Sequence, residues 1–439
     1  SDVNFVDVAD SHNEGIFIDC RASQGKTCYD SGDNAGWLFT EPETIVWTGG
    51  GENNLWTTAD NWLGSEVPGP DDIAEFNGSS SKNVTIGSVV NVAGIIIDSG
   101  YLGEITQGAA ITIGTVGFSQ SGGTFNGSSQ PIMINGTFLM IGTLSEFIST
   151  SGTLTISGNF SREDGTFTHN SGTIVFNSAE EDRTINYGSP ITTTPIFYNL
   201  QFDGGGKWTL QSELRTAANL TITNGTLDVS ANNYPMRISG QWTNNGTFIA
   251  QNGTVTLYES TNLLIDKSLK SGGSSFYRLI LFGSGNSWTL QDDLDVNQNL
   301  TITAGQLIAS NHDINVGGNW SATGTFSMGT GKVTFDGPAI GKTIRSGSSA
   351  FADVEFDVVD GSWTLLDTLD INGNLTITNG TLDVTGSNYA VNVAGNWSNA
   401  GTFNARQGTV TFDGTGTGKT ITPGASAFYN LTFSGSGGW

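Results

Sequence analysis

The chain has 439 residues and a formal net charge of −25, because 16 Lys and Arg are outnumbered by 41 Asp and Glu. A surface this acidic repels nucleic-acid phosphates and anionic lipids, so neither is an expected partner. The 36% hydrophobic content is sufficient for a core, but no run of about 18 apolar residues predicts a membrane-spanning helix. Abundant Thr, Ser, Asn and Gly favour strands and tight turns over helices.

Residues 1–45 form the first predicted segment and contain both cysteines of the chain, Cys20 and Cys28, in CRASQGKTC. In a chain composed like a secreted protein, this spacing predicts a local disulfide that pins a few irregular strands. A free pair in a cytosolic protein is the alternative. The chain starts with Ser1 rather than Met, which fits either a removed signal peptide or an excised fragment.

The second predicted segment, residues 46–118, opens with a stretch rich in Trp and Pro. Trp47, Trp56 and Trp62 lie close together, and Pro68 and Pro70 precede the pair Asp71 and Asp72, in WTGGGENNLWTTADNWLGSEVPGPDDIAEF. This stretch resembles the pattern W-x-G…W…N-W-x-x-G-x-x-P…D-x-A-x-F near the start of passenger-type repeats in bacterial autotransporters and adhesin-like surface proteins. The chain departs from that pattern in having two prolines. The resemblance implies that this segment opens a right-handed parallel β-helix.

The third predicted segment, residues 119–439, is repetitive. NLTITNGTLDV at Asn219 returns as NLTITAGQLIA at Asn299 and again as NLTITNGTLDV at Asn374, a period of about 75–80 residues. Short strands of alternating polarity end in N-G or S-G, which predicts an all-β solenoid with about three to four turns per repeat. Tandem small β-sandwich domains are the alternative. The last repeat stops at Trp439 without a polar cap, so we expect either a longer natural chain or a covering molecule.

Tryptophan also recurs with the period of the repeat. A fixed period argues for packing in the core rather than for one sugar-binding site, and it applies to Trp208, Trp242, Trp288, Trp320, Trp363 and Trp397.

Catalytic motifs are scarce. His12, His169 and His312 are scattered, and GPAIGKT at Gly337 and GTGTGKT at Gly414 lack the helix that must follow a P-loop, so both predict turns. Two clusters of carboxylates are candidate Ca²⁺ ligands, namely Asp71 with Asp72, and Asp292 with Asp293 and Asp295. The second cluster lies at a position that varies between repeats, which favours a solvated surface over a specific site. Apart from Ca²⁺ no cofactor is predicted.

Sequons of the type N-x-S/T are abundant. The candidate glycosylation sites are Asn83, Asn126, Asn135, Asn219, Asn299, Asn374 and Asn396. A fold made of N-G-T turns and N-L-T strands generates such sequences by composition alone, which is the alternative explanation.

These observations predict a non-enzymatic structural protein, extracellular or at the cell surface, that polymerises head to tail into a filament, sheath or adhesive fibre. The N-terminal segment is then the expected docking region for the next subunit. One alternative is the stalk or passenger of a large adhesin that binds a host or a glycan. Another is a carbohydrate-active β-helix enzyme that uses its clustered carboxylates.

Overall fold

The computed structural model describes residues 42–188, 197–259 and 266–439, and the backbone of four strands before them. These are β1 (Val6–Val8), β2 (Ile18–Asp19), β3 (Cys28–Asp30) and β4 (Trp37–Leu38), which pair in parallel as β1 with β3 and β2 with β4. Cys28 begins β3, whereas Cys20 and the predicted disulfide lie outside the described residues.

The remaining strands are short and follow one another with little between them. The first of them are β5 (Thr44–Val46), β6 (Ile73–Phe76), β7 (Val84–Ile86), β8 (Val90–Ile97), β9 (Glu104–Gln107), β10 (Ile111–Gln120), β11 (Thr124–Asn126), β12 (Ile132–Ile134), β13 (Phe138–Met140), β14 (Glu146–Ile148), β15 (Thr153–Ile156), β16 (Phe160–Arg162), β17 (Thr166–Thr168), β18 (Thr173–Phe176) and β19 (Arg183–Asn186). Two single 3₁₀ turns, Ala59–Asn61 and Leu63–Ser65, are the helical segments of the described residues.

Four strands in the second half of the chain, β20, β22, β28 and β30, are long because they continue around a corner. In chain order the strands of this half begin with β20 (Asn199–Leu210), β21 (Leu214–Thr216), β22 (Leu220–Asp228), β23 (Met236–Ile238), β24 (Trp242–Asn244), β25 (Thr247–Ile249), β26 (Thr254–Tyr258), β27 (Asp266–Lys270), β28 (Arg278–Leu290), β29 (Leu294–Val296), β30 (Leu300–Ile308), β31 (Ile314–Val316), β32 (Trp320–Ala322) and β33 (Thr325–Ser327). The last strands are β34 (Lys332–Phe335), β35 (Lys342–Arg345), β36 (Asp353–Phe356), β37 (Ser362–Leu365), β38 (Leu369–Ile371), β39 (Leu375–Ile377), β40 (Thr381–Asp383), β41 (Val391–Val393), β42 (Trp397–Asn399), β43 (Thr402–Asn404), β44 (Thr409–Phe412), β45 (Ile421–Thr422) and β46 (Asn430–Phe433).

The architecture is the predicted β-solenoid, nearly all β, with about 17 turns in total. The strand pairings described are parallel, each strand bonding to the strand one turn later, as β21–β23 and β23–β26 do. The antiparallel bridge between Trp47 and Trp62 is isolated. Tandem sandwich domains are therefore excluded, because their sheets are antiparallel.

The chain divides into two compact units, residues 1–152 with 164–167 and residues 153–163 with 168–439. In the first unit, Val84, Ile105, Phe125 and Phe147 stack in one column, and two further columns run beside it. The Trp-rich stretch packs a buried aromatic cluster within this unit, where the ring centroids of Trp62 lie 5.1 Å from Trp47 and 4.8 Å from Trp56.

The second unit has three strand positions per turn, and therefore three columns of stacked residues. We define column A by Leu214, column B by Leu220 and column C by Leu227, which follow one another in the chain. Column A continues, one residue per turn, through Met236, Val255, Leu279, Leu300, Trp320 and Ile344. Side chains alternate inward and outward along each strand, as period-two geometry requires.

The sequence repeat does not contain a whole number of turns. From Leu214 to its counterpart Leu294 the chain passes through eleven strand positions, because β22 and β28 supply two each and Phe276 forms an isolated bridge. Eleven positions at three per turn make three full turns and two further columns, within the predicted three to four. Each repeat therefore starts one column away from the previous one, and the column recurs after three repeats.

The recurring tryptophans follow this rotation. Trp242 stacks in column B, Trp320 in column A and Trp397 in column C. All six tryptophans singled out from the sequence are 0–1% exposed. Each indole thus fills the core. From one sequence repeat to the next, the equivalent tryptophan moves by one column around the solenoid.

Candidate functional site

A groove with a volume of about 270 Å³ lies on the outer face of the second unit, along column C. We call it the acidic groove and define it by its lining, which is Ser271, Gly273, Asp293, Leu294, Asp295, Asp313, Asn315, Lys332 and Thr334.

The parallel register of three strands builds this groove. Asp295 in β29, Asn315 in β31 and Thr334 in β34 are partners in adjacent turns and face outward. Their neighbours Leu294 and Ile314 are buried in the core. Stacking without stagger therefore places a polar side chain of every turn on one surface.

Backbone hydrogen bonds hold two of the carboxylates at the edge of the groove. Asp293 Oδ1 accepts the N–H of Asp313 at 3.0 Å, and Asp313 Oδ1 accepts the N–H of Lys332 at 2.7 Å. The side chain of Asp293 is nonetheless 75% exposed, and its carboxylate lies 3.5 Å from Nδ1 of His312. Both carboxylates thus keep oxygen lone pairs directed to solvent.

The groove is acidic because Lys332, the cation in its lining, is paired with Glu355 and does not neutralise the aspartates. Lys332 Nζ donates a hydrogen bond to Glu355 Oε2, and this bond raises the pKa of Lys332 and lowers that of Glu355. The carboxylate of Asp295 makes no hydrogen bond or ion pair with any residue that the structure describes. Burial raises its pKa, and the charge of Asp336 adds to the effect.

Two of the carboxylates proposed as calcium ligands, Asp72 and Asp292, are hydrogen-bonded in separate parts of the chain. Asp72 Oδ2 accepts the N–H of Gly69 at 2.8 Å. Asp292 accepts the N–H groups of Ser271 and Gly272 at 2.7 and 2.6 Å, and so caps the loop between β27 and β28 in the preceding turn of the solenoid. In the described ranges no group of three or more His, Cys, Asp and Glu is arranged to hold a metal ion. The calcium sites stay predictions.

The two P-loop-like fragments are turns without a following helix, but their lysines have a role that sequence reasoning missed. Lys342 is 6% exposed, donates to the carbonyl oxygen of Gly337 and lies 3.6 Å from the ring centroid of Trp363. Lys419 stacks in the same way on Trp439, at 4.6 Å. The signal in the sequence was the separation of one turn between each lysine and its tryptophan, rather than the glycines.

The candidate glycosylation sites lie mostly at corners between strands. Oδ1 of Asn219, Asn299 and Asn374 each accepts a backbone N–H of the next turn, at 2.8 to 2.9 Å. Asn396 does the same for Thr420 at 2.8 Å and Asn83 for Glu104 at 3.0 Å. Asn126 instead donates to the Glu104 side chain, and Asn135 is exposed. The six asparagines with these side-chain hydrogen bonds connect neighbouring turns, and glycosylation stays a prediction.

Comparison with protein-family models, with curated proteins and with solved structures gave no match for this sequence. The helical segments of the described residues are too short and too polar to cross a membrane.

Proposed function

We propose that this chain is a non-enzymatic structural protein that forms part of an extracellular filament, sheath or fibre. The observation that carries the proposal is the rotation of the repeat through three columns. Equivalent outward positions face three directions in turn, so the repeat presents similar side chains on all three faces of the second unit. A catalytic centre instead needs several groups converging on one place.

The polar chemistry of the second unit supports the same proposal, because most of it connects turns. Asp292 and Asp367, one repeat apart, cap equivalent turns. Asp383 accepts two hydrogen bonds from Arg406, at 3.1 and 2.7 Å, across adjacent turns. Groups bound in this way stabilise stacking and are not free to act as acids or bases.

An extracellular location is supported by the composition, rich in Thr, Ser and Asn, and by the resemblance of residues 47–76 to bacterial surface proteins. Self-assembly is supported by the last described turn. Leu431 and Phe433 are 45% and 55% exposed, whereas Val354 and Phe356, their counterparts one repeat earlier, are 1% and 0% exposed. A further turn, supplied by more chain or by another copy, would bury both residues. We propose another copy, stacked head to tail.

The test is light scattering over a range of concentrations, with negative-stain microscopy of the same samples. We expect linear assemblies that grow with concentration. Leu431→Lys should abolish them, because a charge in the stacking face cannot be buried unpaired. Leu102→Lys is the matched control, since Leu102 is 72% exposed on the first unit and should not affect assembly. A monomer at every concentration contradicts the self-assembly proposal.

The second candidate is the stalk of a longer adhesin, which the exposure of Leu431 and Phe433 also favours. In that case the next turn comes from the same polypeptide, and the binding part lies outside these residues. Sequencing the complete gene product and assaying it on a glycan array separate the two candidates. A continuous reading frame past Trp439 with glycan binding supports the stalk.

A further inference from the structure

The acidic groove has a counterpart one repeat earlier, which provides an internal comparison. Asp293 and Asp295 correspond to Glu213 and Arg215 of the preceding repeat, and Asn315 corresponds to Arg237. The registers agree, because Arg215 pairs with Arg237 as Asp295 pairs with Asn315.

In the earlier repeat the chain supplies its own cations. Arg215 Nε donates to Glu213 Oε1 at 2.7 Å, and Arg237 Nε lies 3.0 Å from the same oxygen. The Glu213 side chain is only 13% exposed, so two guanidinium groups cover it. At this position the fold therefore binds guanidinium groups on an outward carboxylate.

In the acidic groove the carboxylate is kept and both arginines are lost. Asp293 takes the place of Glu213, while an acid and an amide, Asp295 and Asn315, stand where the arginines were. Lys332 does not replace them, because Glu355 accepts its hydrogen bond. The result is a cavity of about 270 Å³ with carboxylates and no free internal cation among the residues that line it.

We propose that the acidic groove binds an organic cation through its guanidinium or ammonium group, with Asp293 and Asp295 as the acceptors. The ligand occupies the place that the Arg215 and Arg237 side chains fill in the preceding repeat. Asp313 and Asn315 provide further acceptors at the edge of the groove. A hydrogen-bonded guanidinium matches these oxygens better than a metal ion, for which the described residues offer no group of three ligands.

The third repeat provides a natural control. The positions of Asp293, Asp295 and Asn315 are occupied there by Thr368, Asp370 and Asn392. Asp370 keeps the carboxylate of Asp295, but Thr368 has a hydroxyl where Asp293 has a carboxylate. This copy should not bind the cation, because one carboxylate without its partner gives too little charge to offset desolvation.

The experiment is titration calorimetry of the full chain with agmatine, which carries a guanidinium and an ammonium group on one short alkyl chain. Saturable binding at one site per chain is expected. Asp295→Asn, which keeps the shape of the side chain, should weaken it by about tenfold or more. Asp295→Arg should abolish it, because the introduced guanidinium pairs with Asp293 as Arg215 pairs with Glu213. Asp370→Asn should leave the affinity within about twofold.

Other outcomes overturn the proposal. Binding that persists in Asp295→Arg, or that weakens equally in Asp370→Asn, indicates general attraction to an acidic surface. Displacement of agmatine by millimolar Ca²⁺, but not by equal ionic strength of NaCl, assigns the groove to a metal instead. Thermal melting of each variant checks that it is folded, and Asp295→Asn alone decides the result if Asp295→Arg does not fold.

Discussion

The ammonium group of Lys342 lies 3.6 Å from the ring centroid of Trp363, one turn further along the solenoid. The same relationship recurs between Lys267 and Trp288, at 4.9 Å. Both lysines are buried, at 6% and 3% exposure. Because burial disfavours the charged form, the pKa of each lysine is lowered to about 8. The indole face and nearby carbonyl oxygens offset part of that cost.

From the lowered pKa of these lysines we expect the free energy of unfolding to rise with pH above about pH 8. Between pH 8 and the ordinary lysine pKa of about 10.5, the folded state has released a proton that the unfolded state still holds. The free energy of unfolding therefore increases through this window, and it is flat below it. In Lys342→Met this contribution is lost. The melting temperature of the wild type relative to Lys342→Met should increase from pH 7 to pH 9.5.

Arg345→Met, at the exposed end of the same strand, is the control for this measurement. An arginine stays charged over the whole range, so the difference from wild type should not change with pH. A difference between wild type and Lys342→Met that is constant from pH 7 to pH 9.5 contradicts the prediction.

The tryptophans should differ in how well they tolerate phenylalanine. The Trp320 ring lies 5.0 Å from Phe351, and its indole N–H has no hydrogen-bond partner among the described residues. Phe160 occupies the equivalent place one repeat before Trp242 and lies 5.2 Å from Phe197. Trp320→Phe should therefore cost less than about 2 kcal/mol, and Trp320→Ala about 3–5 kcal/mol, in denaturant unfolding.

Trp363→Phe is the informative comparison. The Trp363 indole N–H donates to the carbonyl oxygen of Gly318 at 3.1 Å, and the ring makes a cation–π contact with the Lys342 ammonium group. This substitution loses the hydrogen bond and weakens the cation–π contact, so it should destabilise by about 1 kcal/mol more than Trp320→Phe. Equal effects at the two positions would show that ring volume alone matters.

Asp367 should contribute to stability as a cap between turns. Its two carboxylate oxygens accept the N–H groups of Ser346 and Gly347, each at 2.8 Å. Asp367→Ala leaves both donors without that acceptor and should cost about 1–3 kcal/mol in chemical denaturation. Asp367→Asn keeps one acceptor and should cost less. Asp71→Ala, at an exposed carboxylate, should change the free energy of unfolding by less than about 0.5 kcal/mol.

Gly380 should be intolerant of a side chain. Its φ of +80° is left-handed, and a Cβ there would lie 2.8 Å from the carbonyl oxygens of Gly361 and Val358. Gly380→Ala should lower the free energy of unfolding by about 2 kcal/mol or more. Gly386→Ala is the matched control at the next corner, between β40 and β41, because a Cβ at Gly386 would have no atom within 4 Å and this glycine lacks a positive φ. Comparable losses at both glycines would contradict the steric argument.

Local patterns predicted much of the fold. The alternation in strands such as Leu375–Ile377 indicated which side chains are inside, and Leu375, Ile377, Leu382 and Val384 are all buried. The N-G turn at Gly380 was predictable because few other residues adopt positive φ. The acidic groove was only partly predictable. Asp292, Asp293 and Asp295 were noticed as a cluster, but Asp292 caps a turn while Asp295 lines the groove.

The sequence by itself determined the solenoid and the burial of the recurring tryptophans, because both follow from a period-two pattern within strands and a fixed period between repeats. The parallel pairing of its strands was implied by the resemblance and is seen directly in the structure. Only the tertiary structure decided which residues meet between turns. Neighbouring turns bring together residues 19 to 30 positions apart in the chain, a separation much shorter than the sequence repeat. Eleven strand positions also do not divide evenly into three columns. Lys342 therefore meets Trp363, and Asp295 lies open where Arg215 is paired, through contacts that the repeat period does not encode.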